Sequence, residues 1–280
     1  YSIKDKNGKW TEAKNAGRPI NNRDNNFVIS TSPDNNTLLL GNKYSSDGVS
    51  PNGPGVSIAQ KGQSGWEIPK DVVIENYVNS NQYVGYFLSN DNKHLLMSVE
   101  RPEGFGLKDI YVSFVKEDGT FSKPKTLGNV INTFDDEANP FLASDGKTLY
   151  FSSDAHIGLG GLDVFKVALD KEGKPTGQVE NLKYPLNSEF DDFGIMIEGT
   201  KERGYLSSNR QGGKGNDDIW SFVLPPLVFN VNGTGTQEYK GADCTSGPPV
   251  VRGFSRGRIP NLNVNKAAND TLLITGIANV

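Results

Sequence analysis

The sequence predicts an all-β fold, a β-propeller of four-stranded antiparallel blades, from two sets of markers and one pattern. The first set opens similar segments at steps of 56, 55 and 55 residues: Trp10, Trp66, Phe121 and Thr176. The second set recurs at steps of 58, 53 and 55 residues: Asn21, Asn79, Asn132 and Asn187. The pattern consists of short alternating apolar runs between Asn, Asp and Gly turns, which is typical of antiparallel sheet. A small all-β unit repeated at a fixed period favours a propeller over a sandwich.

Each repeat is interpreted as four strands, A to D. Strand A is predicted at Phe27–Thr31, Val84–Leu88, Ala138–Ala143 and Phe193–Ile197. Strand B is predicted at Thr37–Gly41, His94–Ser98, Thr148–Ser152 and Arg203–Ser207. Strand C is predicted at Val56–Gln60, Ile110–Val115, Val164–Leu169 and Ile219–Val223. Strand D is weaker and is predicted to begin near Trp66, Phe121 and Thr176, with an N-terminal copy at Trp10.

The two ends of each predicted blade differ in their connections. In a four-stranded meander the A–B and C–D turns lie at one end, called the turn end here, and the B–C and D–A connections lie at the other, the loop end. The turns are short and rich in Asn, Asp and Gly, which tolerate the positive φ of tight hairpins. The loop-end connections are long and varied. Because binding residues concentrate on loops held by a rigid scaffold, we expect the interaction surface at the loop end.

The domain boundaries follow from the repeat, which covers residues 1–225 with a period of about 55 residues. Residues 226–280 have two interpretations. NDTLLITG at 269–276 is similar to strand B at 35–42, so with an N-terminal C and D pair the tail would complete a fifth blade and close the ring. The alternative is the start of a separate Ig-like module. Because 1–10 matches 111–121, the sequence opens in mid-repeat, and we expect the native chain to extend upstream.

Composition narrows the function classes. The 280 residues carry a formal net charge of −4, so no nucleic-acid partner is expected. Cys244 is the single cysteine, which excludes an intrachain disulfide and a multi-cysteine metal site. No apolar run approaches the roughly 20 residues of a membrane helix, so no transmembrane segment is predicted.

Three segments carry a family resemblance: SDGKTLYFSSDAHIGLGGLDVFKV (144–167), PLNSEFDDFGIMI (185–197) and GYLSSNRQGGKGNDDIWSF (204–222). They resemble the TolB-like propeller repeats of OmpA-type, peptidoglycan-associated envelope proteins of Bacteroidetes-like bacteria. The resemblance covers about residues 1–225. It implies a non-catalytic scaffold, periplasmic or outer-membrane-associated, that docks envelope proteins in an outer-membrane, secretion or peptidoglycan-associated assembly. This sequence holds no recognisable OmpA-like domain, so the resemblance implies peptidoglycan contact only through a domain absent here.

The B–C loops carry the candidate binding residues, since Arg and aromatic side chains are favoured at interaction hot spots. The candidates are Arg101, Phe105, His156, Arg210 and Lys214. The alternative is that they are ordinary solvated loop residues, and the sequence leaves both interpretations open.

The D–A loops carry matched acidic clusters: Asp135, Asp136, Glu137, Asp191 and Asp192. One interpretation is that they accept backbone N–H bonds where the chain enters strand A. A second is Ca²⁺ binding, which takes several oxygen ligands. A third is acid–base chemistry on a glycan, which needs two carboxyl groups about 5–9.5 Å apart. Recurrence at the repeat spacing favours the structural role.

Three further features are assigned mainly to structure. Asp109, Asp163 and Asp218 each precede strand C and are predicted to fix its turn. The Gly-rich loops 158–163 and 211–218 lead into strands rather than helices, which excludes a phosphate cradle. The tryptophans are predicted to pack at blade junctions, with stacking on a sugar as the alternative: Trp10, Trp66 and Trp220.

The sequence therefore predicts a non-enzymatic cell-envelope propeller that acts as a protein–protein interaction scaffold, with no cofactor other than Ca²⁺. The alternative is a glycan-binding or glycoside-hydrolase propeller that uses acidic loops around its central channel.

Overall fold

A computed structural model describes residues 1–199, 203–223, 227–233, 263–266 and 272–278. The chain divides into two compact units, Tyr1–Phe222 and Val223–Val280. Within the described segments the regular structure consists of β-strands, and no helix there has the length and apolar character that a bilayer crossing needs.

The first unit contains four small antiparallel sheets, numbered here as blades 1 to 4. Blade 1 consists of β1 (Val28–Thr31), β2 (Thr37–Gly41), β3 (Val56–Gly62), β4 (Gly65–Trp66) and β5 (Lys70–Asp71). Blade 2 consists of β6 (Gly85–Leu88), β7 (His94–Val99), β8 (Asp109–Phe114) and β9 (Lys125–Thr126). Blade 3 consists of β10 (Glu137–Leu142), β11 (Thr148–Ser153), β12 (Asp163–Ala168) and β13 (Glu180–Asn181). Blade 4 consists of β14 (Asp192–Ile197), β15 (Arg203–Ser208) and β16 (Asp218–Val223).

The four sheets are arranged like the blades of a propeller. The first strands of successive blades contact each other in chain order, β1 with β6, β6 with β10 and β10 with β14. Backbone hydrogen bonds also join neighbouring blades at the loop end: Glu137 N–H donates to Lys108 O at 2.7 Å, and Asp192 N–H donates to Leu162 O at 2.6 Å. The predicted all-β, propeller-like arrangement is confirmed for these four blades.

The apolar cores lie between neighbouring blades. Leu39 of blade 1 and Met97 of blade 2 belong to one buried cluster. A larger cluster joins blades 2 and 3, where the rings of Phe87 and Phe141 lie 5.1 Å apart at their centroids. Since burying one large apolar side chain contributes about 1.5–3 kcal/mol, contact between sheets accounts for much of the stability of the unit.

The predicted A, B and C strands all appear, within two residues of their predicted bounds. The fourth strands are weak, as predicted: each segment contains only two residues, and blade 4 has none among the described residues. Pro69 and Pro124 immediately precede β5 and β9, and proline lacks the N–H that a ladder requires. Isolated bridges at Phe121 and Pro175 mark the places where these strands were predicted to begin.

The chain ends bear on the predicted fifth blade. Residues 1–14 form a hairpin, in which Lys4 and Trp10 are bridged and Thr11 N–H donates to Ile3 O at 2.8 Å. The second unit contains a three-stranded sheet in which the last strand pairs with both others: β17 (Leu227–Gly233), β18 (Asn263–Lys266) and β19 (Leu272–Ala278). Cys244 lies outside the described residues. A fifth blade, closure of the ring and an Ig-like module remain predictions.

Candidate functional site

The loop end is built from B–C loops that lie directly against the D–A loops entering the next blade. A Cβ at Gly106 would come within 2.4 Å of the backbone of Phe134, and one at Gly160 within 2.1 Å of Phe190 O. Only glycine permits this approach, because any side chain would collide with backbone atoms. The glycines of loop 158–163 therefore serve packing between blades, as predicted in place of phosphate binding.

Arg101 and Arg210 occupy equivalent positions just after the second strand of their blades, and both point into the protein. Arg101 is 6% exposed, donates to Asn76 O at 3.2 Å and lies over the ring of Tyr111, 5.5 Å from its centroid. Arg210 donates to Pro185 O at 2.9 Å. Each guanidinium thus ties a B–C loop to the D–A loop that enters the same blade.

In the other two blades, His156 and Tyr44 also connect the B–C loop to the D–A loop that enters the same blade. His156 Nε2–H donates to Ile131 O at 2.8 Å, and its ring lies 5.2 Å from that of Phe165. Tyr44 is buried, and its hydroxyl donates to Ile20 O at 2.8 Å. The four anchor residues, Tyr44, Arg101, His156 and Arg210, are chemically unlike but share this function. Three of them were predicted as surface binding groups, and the structure assigns their polar atoms to internal contacts instead.

Glu137 and Asp192, two of the predicted metal ligands, are fully buried at equivalent positions. Glu137 accepts hydrogen bonds from the backbone N–H of Thr133 at 2.7 Å, from its hydroxyl at 2.6 Å and from the Ser153 hydroxyl at 2.9 Å. Burial raises the pKa of Glu137 to about 7, and the negative charge of Asp109 adds to the shift.

Asp192 has a different environment from Glu137. Its Oδ2 accepts the Ser188 hydroxyl at 2.8 Å, and its Oδ1 forms an ion pair with Arg210. In blade 3 the corresponding anchor is His156, which bonds a carbonyl, so Glu137 is satisfied by hydroxyl and amide donors rather than by a cation.

Asp136 and Asp191 hold the loops together. Asp136 Oδ1 accepts the Lys108 N–H at 3.0 Å, while its Oδ2 lies 3.3 Å from Lys108 Nζ. Asp191 Oδ1 accepts the Leu162 N–H at 2.9 Å, and its Oδ2 accepts the Asn209 amide at 3.1 Å. Asp135 is partly buried beside them, and its N–H donates to a threonine hydroxyl. The geometry of Asp136 and Asp191 matches the structural interpretation of the acidic clusters.

The aspartates that precede the third strands close their loops as predicted. Asp109 Oδ2 accepts the Phe105 N–H at 2.6 Å, and Asp218 Oδ2 accepts the Lys214 N–H at 2.6 Å. Asp163 accepts the N–H groups of Leu159 and Gly160. Burial raises the pKa of both Asp109 and Asp163, whereas backbone hydrogen bonds lower that of the more exposed Asp218.

Two asparagines that served only as spacing markers prove to be structural clamps. Asn132 bonds both the N–H and the C=O of Ile110, at 2.8 and 3.0 Å. Asn187 bonds the N–H and C=O of Val164, both at 2.8 Å. Each of these two amides extends the sheet by one residue pair from a loop, whereas Asn79 accepts the Glu100 N–H at 3.0 Å.

The loop end exposes several large apolar side chains. Six large side chains of blades 2 to 4 are prominent there: Phe105, Leu107, Phe134, Ile157, Leu159 and Tyr184. Phe134 is 76% exposed, Ile157 95% and Tyr184 78%. Of these only Phe105 was predicted as a binding residue. Lys214, the other predicted binding residue with a free side chain, is exposed nearby.

The turn end exposes fewer large apolar side chains in its turns. The described A–B turns at 32–36, 89–93 and 143–147 expose none, whereas Val115 is 38% exposed in the C–D connection of blade 2, and Met196 and Val223 are 50% and 75% exposed beside the turns of blade 4. Scattered exposed apolar residues are normal, so what distinguishes the loop end is that such residues recur in the connections of consecutive blades.

The remaining predicted features are placed as follows. Within the described residues, no group of three or more His, Cys, Asp or Glu side chains is arranged to hold a metal ion. Trp220 packs at the junction of blades 3 and 4, as predicted, whereas Trp66 packs against a cluster that belongs to blade 1. Trp10 instead is 56% exposed, with Lys4 Nζ 4.8 Å from its ring centroid, because the hairpin that carries it covers little apolar surface.

Comparison with known proteins adds fold-level likenesses only. No family model and no curated protein matches the sequence. A puromycin-hydrolysing peptidase of Mycobacterium tuberculosis matches with a TM-score of 0.38 and 17% identity, over 69% of this chain and 29% of that one. A periplasmic gluconolactonase of Pseudomonas aeruginosa matches with a TM-score of 0.36 and 13% identity, over 72% and 58%. A puromycin hydrolase matches with a TM-score of 0.32 and 13% identity, over 64% and 33%. The chain spans less than two thirds of each of these proteins, and at such scores the likenesses carry no argument about activity.

Proposed function

We propose that this protein is a non-catalytic β-propeller module of the cell envelope that binds a protein partner through its loop end. The observation that carries the proposal is the recurrence of highly exposed apolar side chains in the loop-end connections of blades 2 to 4. A surface centred on Phe134 and Ile157 has the aromatic and aliphatic character of an interface core.

The contacts of the polar loop residues favour binding over catalysis. A general acid or base must reach its substrate, yet Glu137 and Asp192 have no exposed surface and are fully engaged with neighbouring groups. The glycan-active alternative would need at least two of the loop carboxylates free in one pocket. Four of these carboxylates instead accept backbone or side-chain hydrogen bonds: Asp136, Glu137, Asp191 and Asp192.

The finer features of the proposal come from the sequence. The likeness of blades 3 and 4 to TolB-like repeats of OmpA-type envelope proteins supports a periplasmic or outer-membrane-associated location. The N-terminal hairpin, an unpaired equivalent of the third and fourth strands, supports a fifth blade that closes the ring. Under this proposal, the propeller contacts peptidoglycan only through other domains of its assembly.

Site-specific crosslinking tests the proposal. A photoreactive phenylalanine derivative in place of Ile157, in the chain produced in its native host, should give a discrete crosslinked product that mass spectrometry identifies as an envelope protein. The matched control places the same group at Val115, near the turn end, where no product is expected. Equal products from both positions, or none from position 157, would contradict the proposal.

A further inference from the structure

Blade 1 departs from the other blades in its B–C loop. This loop, 42–55, holds 14 residues. The B–C loops of the other blades hold nine residues each: 100–108, 154–162 and 209–217. The longer loop forms a hairpin of its own, in which Tyr44 and Pro51 are bridged. Asp47 Oδ1 accepts the Ser50 N–H at 2.8 Å and braces the tip of the hairpin, which is therefore preformed.

The tip of this hairpin forms one wall of an open cleft in blade 1. Gly48 lies at the tip with φ +63°, and a Cβ there would be 3.2 Å from Pro19 Cβ and 3.3 Å from Ile68 Cγ1. The cleft is wide open to solvent and has a volume of about 540 Å³. Trp66 forms part of its wall and packs against the buried cluster that contains Leu40, which holds the indole ring in place.

Unpaired polar groups line this apolar cleft. Arg18, Lys70 and Glu67 all contribute to the lining. Across the described residues, no carboxylate lies within ion-pair distance of Arg18 or Lys70, and neither the Glu67 carboxylate nor the Trp66 indole N–H has a hydrogen-bond partner. Most charged groups at the loop end serve internal bonds, whereas these remain available to a ligand.

We propose that this cleft binds a saccharide that carries one carboxylate. A pyranose ring presents C–H groups on its faces and hydroxyls at its edge, so one face can lie on Trp66 while the edge meets polar groups. Arg18 and Lys70 supply donors for the carboxylate, and Arg18 can bind it with two parallel hydrogen bonds. Glu67 accepts a sugar hydroxyl.

The charge of the lining favours a ligand with one carboxylate over a phosphate ester or an apolar ligand. Two cations face two carboxylates, Asp47 and Glu67, so the cleft has no net formal charge. A phosphate ester with two negative charges would leave two uncompensated negative charges in the cleft, one more than a single carboxylate leaves. A purely apolar ligand would leave the four charged groups unmatched as they lost water. A single carboxylate among hydroxyls fits this balance better than either.

Calorimetric titration of the full chain tests the proposal. The probes are galacturonic acid, glucuronic acid and sialyllactose, which carry one carboxylate each, and they are compared with galactose, glucose and lactose as neutral counterparts. At least one carboxylated saccharide should bind, and its neutral counterpart should bind at least tenfold more weakly. The Arg18→Gln and Lys70→Gln variants should each weaken binding about tenfold, as expected for a charge-assisted hydrogen bond.

Lys171→Gln is the matched control, because Lys171 is equally exposed but lies in a turn of blade 3. Its affinity should equal that of the wild type, and the melting temperatures of all three variants should be unchanged. Equal binding of a neutral counterpart, equal binding of inorganic phosphate, or preference for an Asp-rich hexapeptide would overturn the proposal. So would the absence of binding by all three carboxylated probes at millimolar concentration.

Discussion

Arg210 forms an ion pair with Asp192, whose carboxylate has no exposed surface. The same guanidinium bonds the carbonyls of Pro185 and Leu186, so one side chain compensates a buried charge and holds a loop. Removal of one partner of a buried pair leaves an uncompensated charge, which costs more than the pair itself contributes.

Replacement of Arg210 by alanine should therefore destabilise the first unit strongly. We expect the free energy of unfolding to fall by about 3–5 kcal/mol in chemical denaturation. The control is Arg203→Ala, which removes the exposed pair with Glu198 in the same blade and should cost about 0–1 kcal/mol. Similar losses for both variants would show that the buried pair has no special role.

Glu137 should make stability depend on pH. Its pKa is raised to about 7 in the folded protein, so the folded state binds the proton more tightly than the unfolded state does. The stability that this carboxyl contributes is present at low pH and is lost as pH rises from about 4.5 to about 7. At higher pH the buried charge costs up to about 3 kcal/mol.

The Glu137→Gln variant isolates this effect. Its amide oxygen can face the Thr133 N–H while its NH₂ group faces the hydroxyls of Thr133 and Ser153, both of which can accept. Chemical denaturation between pH 4 and pH 8 should show that the unfolding free energy of the variant increases relative to that of the wild type as pH rises. A constant difference between the two proteins over this range would contradict the assignment.

The asparagine clamps should be essential to the junctions between loop and sheet. Asn187→Ala leaves the N–H of Val164 buried without its partner and the C=O with only the Leu182 N–H, so we expect a loss of about 1–3 kcal/mol in unfolding free energy. The control is Asn129→Ala in an exposed loop, where the change should stay within about 0.5 kcal/mol. Hydrogen exchange of the Val164 amide should accelerate in the first variant alone.

The strands were predictable from sequence because alternation along a half-buried strand is a local property. The same holds for Asp109 and Asp163, whose carboxylates act within four residues. The bounds of the fourth strands were not predictable, since Pro124 and its counterparts interrupt pairing at a sheet edge that tolerates interruption.

The roles of the loop residues could not be read in the same way. The sequence does not show whether a histidine in a polar loop faces water or donates to the carbonyl of another loop. His156 does the latter. The equivalence of Tyr44 and Arg210 is hidden because a phenol and a guanidinium donate to the same kind of carbonyl. Ile157 was missed for the converse reason, since only the fold reveals which apolar loop residues remain exposed.

Two adjacent residues provide the most direct test of the central claim, that polar loop residues hold the blades while apolar ones bind the partner. His156→Ala should lower the unfolding free energy by about 1–3 kcal/mol, because the Ile131 carbonyl loses its donor and the aromatic cluster loses a ring.

Ile157→Ser should change stability by no more than about 0.5 kcal/mol, since this side chain is 95% exposed. The decisive measurement is the yield of crosslinked partner from a photoreactive group at position 134, at a temperature where both variants are folded. We predict a normal yield with His156→Ala and a several-fold lower yield with Ile157→Ser. The reverse pattern, with binding lost in the histidine variant and stability lost in the isoleucine variant, would contradict the account.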